Sequence, residues 1–243
     1  MRISLAQTRP VKGDIARNIE NHQKFIDQAV ELGADVLMFP ELSITGYEPT
    51  LARDRATTPD DARFAPFQQR SDAHNLTIGI GVPTPNDAGI SITLVLFHPN
   101  QPWQTYSKKF LHADEKPFFV GGRNASVVLR NKPEVALAIC YELSVPEHAE
   151  TAHQTGATVY LASVAKTASG AENAAQRLSD IARTYAMTVL MVNSVGPSDD
   201  FVSGGKTAVW NAQGELLGQL NATDESILLL DTATQEVTQK IVS

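Results

Sequence analysis

The sequence has a single cysteine, Cys140, in 243 residues, so no internal disulfide can form and a disulfide-stapled fold is excluded. It also lacks any block of Lys or Arg, and its formal net charge is -7. The basic footprint that nucleic acids or anionic lipid surfaces require is missing, so the expected partner is a small molecule, with no nucleic acid and no membrane. Long hydrophobic runs are absent as well. The longest, such as TVLMV and SILLL, fall far short of the roughly 20 apolar residues of a membrane-spanning helix. The opening MRISLAQ has neither the basic segment nor the apolar stretch of a signal peptide, and with the lone cysteine this leads to the expectation of a cytoplasmic location.

What is present is enough apolar material, 42% of residues, to bury a sizeable core, and one domain over 1–243 is expected. No composition shift, internal repeat or low-complexity tract interrupts it. Strand-like and helix-like segments alternate. Residues 2–6 read as a strand; Ile15, Ile19, His22, Ile26 and Ala29 fall on one helical face before the stop at Gly33. Residues 35–39 form a compact apolar strand ending at Pro40, 60–75 a polar helix, and 77–82 and 90–98 two strands separated by the turn-forming PTPNDAG. Then come strand 135–139, helix 146–154, strand 158–162, helix 171–186 and strand 188–193, followed by β segments at 206–210, 216–220 and 226–230. This pattern predicts an α/β sandwich.

Three stretches carry chemistry, each at a strand end. In FPEL, Glu41 follows a buried strand, where partial desolvation raises a carboxylate's pKa and suits it to act as a general base. In YSKKFL, Lys108 and Lys109 lie side by side, with Glu115 downstream. In LAICYE, a buried strand delivers Cys140 into a turn. Taken singly, each also fits a plain role: a loop carboxylate, a solvated lysine pair, a packed core thiol.

Together they resemble the nitrilase superfamily, the carbon–nitrogen hydrolases, over nearly the whole chain. FPELSITGY is similar to the family's Glu motif, YSKKFLHADEKPFFVGG to its Lys motif and LAICYELSVPE to its Cys motif, in the same order; IARTYAMTVLMVNSVG and GGKTAVWNAQGELLG resemble later family segments. The resemblance implies a four-layer αββα sandwich assembled into dimers or larger oligomers. It implies Glu41 as general base, Lys108 as the cation near the oxyanion, Cys140 as nucleophile and Glu115 as a second carboxylate that orients the site. Lys108 rather than Lys109 keeps the motif's register between Tyr106 and Leu111. Tyr47 is expected to line the substrate pocket and Tyr141 to offer its backbone N–H to the oxyanion. The helix after Cys140 is expected to favour the thiolate. No metal or organic cofactor is implied.

Where many family members have Asp and Arg two and four residues after the cysteine, this chain has Glu142 and Ser144, which weakens the case for an N-carbamoyl amino acid substrate. SVAKTASGAEN lacks the Trp often found there. Tyr141 points to amides and Glu142 slightly to nitriles; the amide reading is preferred. Alternatives are a nitrile or N-carbamoyl hydrolase and a catalytically silent binding relative. A papain-like pairing of Cys140 with His148 or His153 is disfavoured because both read as solvated helix positions. An isochorismatase-like hydrolase needs an acid after the first strand, where Gln7 and Thr8 stand.

Overall fold

The structure, a computed structural model, describes residues 1–122 and 134–242. Side chains alternate across a strand, so a strand that is apolar at every position must be covered on both faces. That is the state of β2 (Val36–Met38). Val36 and Met38 face one apolar cluster, and Leu37, with Phe39 just beyond the strand, faces another.

The remaining elements are β1 (Arg2–Gln7), α1 (Ile15–Glu31), α2 (Ala52–Arg55), α3 (Ala65–His74), β3 (Thr77–Asn86), β4 (Gly89–Phe97), β5 (Gln104–Ser107), β6 (Val135–Ile139), α4 (Pro146–Gln154), β7 (Val159–Val164), α5 (Ala168–Tyr185), β8 (Thr188–Asn193), β9 (Val195–Ser198), β10 (Phe201–Gly204), β11 (Ala208–Trp210), β12 (Leu216–Gln219), β13 (Ser226–Asp231) and β14 (Val237–Ile241). They form a seven-stranded sheet, β14-β13-β1-β2-β3-β4-β5, a five-stranded sheet, β12-β11-β8-β7-β6, and the hairpin β9-β10. Each large sheet contains three neighbouring parallel strands: β1-β2-β3 in the middle of the first, and β8-β7-β6, ending at the edge strand β6, in the second.

Three apolar clusters separate four layers. Ile3, Leu5, Met38 and Leu94 of the first sheet meet Leu137, Ile139, Leu161, Leu190 and Val192 of the second. On the outer face of the first sheet, Phe25 and Ile26 of α1 and Phe67 of α3 cover Leu37, Ile78 and Leu229. On the outer face of the second, Ala171, Leu178 and Ile181 of α5 cover Tyr160, Ala162 and Met191. The expected αββα sandwich is the observed fold. No helix among the described residues is long and apolar enough to cross a membrane.

The structure departs from the sequence reading in a few places. The segment PTPNDAG is not mostly turn: β3 runs to Asn86 and β4 starts at Gly89. Pro83 and Pro85 are tolerated because their partners Ile92 and Ile90 turn their carbonyls away from β3, to Lys108 N and Val120 N, so neither proline needs to donate across the ladder. The helix expected over 60–75 begins as a 3-10 turn at Ala62–Phe64 and is α only from Ala65. Strands β5, β9, β10 and β14 lie outside the sequence reading.

Candidate active site

The first candidate residue is held by a turn pressed onto β3. Phe39 N donates to Gly79 O at 2.9 Å and Ile44 N to Gly81 O at 3.1 Å, so the chain from 39 to 44 is bonded to β3 at both ends. A Cβ at Gly81 would lie 2.3 Å from Leu42 N and 2.5 Å from Pro40 O, so only glycine permits this approach. Leu42 itself sits in the left-handed region at φ +52°. From the helix layer, His22 closes the turn: Nδ1 bonds Asn18 O at 2.6 Å and Nε2 bonds Ser43 Oγ at 3.0 Å. A carbonyl can only accept, so Nδ1 carries the proton, and Ser43 donates to Nε2 while accepting from Gly81 N.

Glu41, 1% exposed, accepts from Lys108 Nζ at 2.8 Å through Oε1, and Glu115 Oε1 accepts from the same ammonium at 2.5 Å. Lys108 is wholly buried. Its backbone is fixed by Lys108 N to Ile92 O and Gly122 N to Lys108 O, both 2.8 Å. Lys109, one residue on, is exposed, with its ammonium 4.8 Å from the Phe110 ring centroid. Burial raises the Glu41 pKa above the ordinary carboxylate value, with the Lys108 charge opposing. Burial pulls Lys108 down, but the charges of Glu41, Cys140 and Glu115 more than offset this and leave it raised.

Cys140 ends β6 and opens a 3-10 turn, Cys140–Ser144, with φ +43°. A non-glycine residue held there costs about 1 to 3 kcal/mol and persists only where its surroundings over-determine it. The half-buried thiol lies 4.0 Å from Ala165 O. Burial pushes its pKa above the ordinary value, the Glu41 charge adds to this, and Lys166 and Lys108 oppose it. The expectation that the following helix favours the thiolate is therefore corrected: the 3-10 turn separates Cys140 from α4, and desolvation dominates.

Glu115 is also bound by Tyr47 and His112: Tyr47 OH donates to Oε1 at 3.1 Å and His112 N to Oε2 at 2.8 Å. Tyr47 packs against Phe201 of the β9-β10 hairpin at 5.7 Å, and burial, with the Glu41 and Glu115 charges, raises its pKa. The structure thus brings Glu41, Lys108, Glu115, Cys140 and Tyr47 together. The Tyr141 side chain does not join them; it is exposed and lies edge-on to His112 at 5.2 Å. Among the described residues no group of three or more His, Cys, Asp or Glu is arranged to hold a metal ion.

One residue that sequence reasoning treated only as a departure is structurally central. Fully buried Glu142 accepts from Lys109 N at 2.6 Å, Ile139 N at 2.8 Å and Tyr106 OH at 2.8 Å. It therefore ties the cysteine turn to the backbone beside Lys108. Nor is His148 on a solvated face: it bonds Tyr106 OH at 2.7 Å and Tyr160 OH at 2.8 Å. The signal for Glu142 was available, an acid inside an otherwise apolar strand-turn segment.

Comparison with known proteins decides the kinship of this constellation. Residues 2–241 match the model of the carbon-nitrogen hydrolases. The chain belongs to the carbon-nitrogen hydrolase family. Among solved structures, an amidase from Nesterenkonia sp. AN1, crystallised as a cysteine-to-alanine mutant with butyramide, superposes with a TM-score of 0.86 at 24% identity, covering 97% of this chain and 92% of that one. A Glu-to-Leu mutant of that amidase, carrying the acetamide moiety of fluoroacetamide covalently added at the active site cysteine, gives 0.85 at 25% identity, with 95% and 90% covered. These neighbours set the chain in the amidase-like branch of the nitrilase superfamily. An (R)-stereoselective amidase of Pseudomonas sp. is 26% identical over 86% of this chain and 77% of its own length. The glutamine-dependent NAD(+) synthetase of Aquifex aeolicus is 24% identical over 99% of this chain, which spans only 44% of that enzyme.

Proposed function

We propose that the protein hydrolyses the carbon–nitrogen bond of a small amide through a thioester on Cys140, releasing ammonia or an amine. The observation that carries this reading is one buried ammonium, Lys108, bonded to both Glu41 and Glu115 beside a half-buried thiol. An ordinary thiol is only a few per cent ionised at neutral pH, and this one is raised further. Attack therefore requires that the proton leave as the S–C bond forms. Glu41, itself raised and so a stronger base than a free carboxylate, takes it.

The tetrahedral oxyanion is stabilised by the Lys108 ammonium and the backbone N–H of Tyr141, an interaction type worth about 3 to 4 kcal/mol per donor. Glu41 returns the proton to the leaving nitrogen, the C–N bond breaks and the thioester remains. Glu41 then takes a proton from water, hydroxide adds to the thioester carbon, and the thiolate leaves and is reprotonated. Glu115 holds Lys108 and Tyr47 in place throughout. These steps require no metal or organic cofactor.

Three points support an amide over a nitrile: Tyr141 after the cysteine, the butyramide bound by the Nesterenkonia amidase, and the glutamine named for the longer synthetases. The test is ammonia release from amides and their matched nitriles, with wild type and Cys140→Ala in parallel. Turnover of the amides, loss of it in Cys140→Ala with the fold intact, and a Cys140 acyl adduct on acid quench are expected. Residual activity above about a few per cent, or a nitrile rate equal to the amide rate, would overturn the reading.

A further inference from the structure

Two of the main-chain donors on Glu142 stand next to reacting groups. Its Oε1 accepts at 2.6 Å from Lys109 N, one residue past Lys108, and its Oε2 at 2.8 Å from Ile139 N, one residue before Cys140. A shift of this carboxylate would therefore change the spacing between the Lys108 ammonium and the Cys140 thiol. Its side-chain donor is Tyr106 OH of β5, at 2.8 Å, and behind that phenol stands a further run of polar groups.

The direction of each proton in this run follows from its end. A carboxylate that already takes two main-chain N–H groups acts as an acceptor, so Tyr106 gives it the phenolic proton. The Tyr106 oxygen in turn accepts from His148 Nε2 at 2.7 Å, and the neutral imidazole, with its one proton on Nε2, accepts at Nδ1 from Tyr160 OH at 2.8 Å. Burial lowers the His148 pKa against the charges of Glu142 and Glu147, with Lys109 acting in the same sense as burial, so the ring is neutral near neutral pH. Tyr160, His148, Tyr106 and Glu142 thus form one directed chain that runs from β7 through α4 to β5 and back to the cysteine turn. Both nitrogens of His148 are taken by phenols, so it is not a base for the thiol.

We propose that His148 is a positioning residue of the hydrolysis: acting through Tyr106 and Glu142, it fixes the Lys108 ammonium at the distance from Cys140 that the oxyanion requires. The proposal rests on Cys140 being the nucleophile and Lys108 the cation of the oxyanion. A donor on the Tyr106 oxygen polarises the phenol and strengthens its bond to Glu142. Without that donor, a buried phenol oxygen is left short of a partner and Glu142 is free to follow either main-chain segment. The oxyanion's charge appears only as the reaction proceeds, so a drift in this spacing lowers kcat and leaves KM nearly unchanged.

The experiment measures kcat and KM for butyramide, by ammonia release, in wild type, His148→Leu, His148→Gln, Tyr106→Phe and the double variant, with urea unfolding as the folding control. His148→Leu should lower kcat by about ten-fold or more with KM within about two-fold. His148→Gln, whose amide carries a donor and an acceptor, should recover most of that loss. Adding His148→Leu to Tyr106→Phe should cost less than about two-fold, because the link is already broken. Tyr106→Phe keeps the ring in the core and removes only the linking oxygen, so it decides the matter if His148→Leu does not fold: a kcat within about two-fold of wild type overturns the proposal. Exposed His153, on the same helix and packed on Tyr185 at 5.3 Å, is the control, and His153→Leu should keep its kcat. Equal losses in His148→Gln and His148→Leu, a matching rise in KM, or losses at 106 and 148 that multiply would each overturn the proposal.

A second arm needs no turnover. Alkylation of Cys140 by iodoacetamide, read by mass spectrometry, should be faster in His148→Leu and Tyr106→Phe than in wild type and near the wild-type rate in His148→Gln; an unchanged rate in the first two overturns the proposal. Failure of the parent reading looks different, since wild type itself would then release no ammonia from any amide while the alkylation rates still responded to positions 106 and 148.

Discussion

At the scale of single residues, the two adjacent lysines show how context separates identical chemistry. Lys108 lies inside the sandwich with two carboxylates on its ammonium, and Lys109 lies outside over an aromatic face. Lys108→Met is expected to be nearly inactive, and Lys109→Met to keep most activity, by ammonia release. The motif register already selected Lys108, because Tyr106 and Leu111 pin it. Glu142 was not legible in the same way, since its partners are main-chain donors of two segments that only the fold brings together. Glu142→Gln places an amide NH2 where one set of donors now finds an oxygen. We expect it to cost about 2 to 3 kcal/mol of stability by urea unfolding and to speed iodoacetamide alkylation of Cys140, because a loosened turn exposes a thiol whose pKa burial holds up.

Elements carry the site through helix α1, whose apolar stripe includes two polar residues. Asn18 and His22 are both buried, and they bond the turn bearing Glu41: Asn18 Nδ2 donates to Ile44 O at 2.9 Å and His22 meets Ser43 Oγ. Burial lowers the His22 pKa from 6.5 to about 3, against a smaller opposing effect from Asn18 O. The unfolded chain therefore binds a proton at 22 below pH 6.5 that the folded chain refuses until about pH 3. Stability should fall across that window at up to about 1.4 kcal/mol per pH unit from this group. His22→Gln should flatten that part of the stability-against-pH curve; an unchanged slope would refute the assignment. Gly81→Ala forces a Cβ into Leu42 N, so activity should be lost with the displaced Glu41 turn and the melting temperature should drop. Sequence periodicity read α4, β6 and β8 to their ends because each is bounded by Pro, Gly or a polar break. It passed over β9-β10 and β14, whose residues VGPS, FVSG and VTQKI show neither clean alternation nor an apolar run.

On the scale of the whole molecule, we propose from the family resemblance that the protein is at least a dimer in solution; a monomer by light scattering at micromolar concentration would refute this. The sandwich also explains why the site lies where it does. Glu41 leaves the first sheet, Cys140 leaves the second, and Ser163 Oγ of β7 donates to Phe39 O at 2.9 Å across the gap between them. The order of the motifs and the alternating strands and helices were determined by the linear sequence, because each rests on local periodicity or on residues a few positions apart, and the proposed roles of Glu41, Lys108 and Cys140 came from the resemblance those motifs carry. Only the tertiary structure decided that Lys108 is shared by two carboxylates, that Glu142 clamps the two halves of the site and that the Ala165 carbonyl lies beside the thiol. Each of these depends on distances between segments from 7 to 67 residues apart in the chain, and no local pattern encodes such a distance until the two sheets have packed.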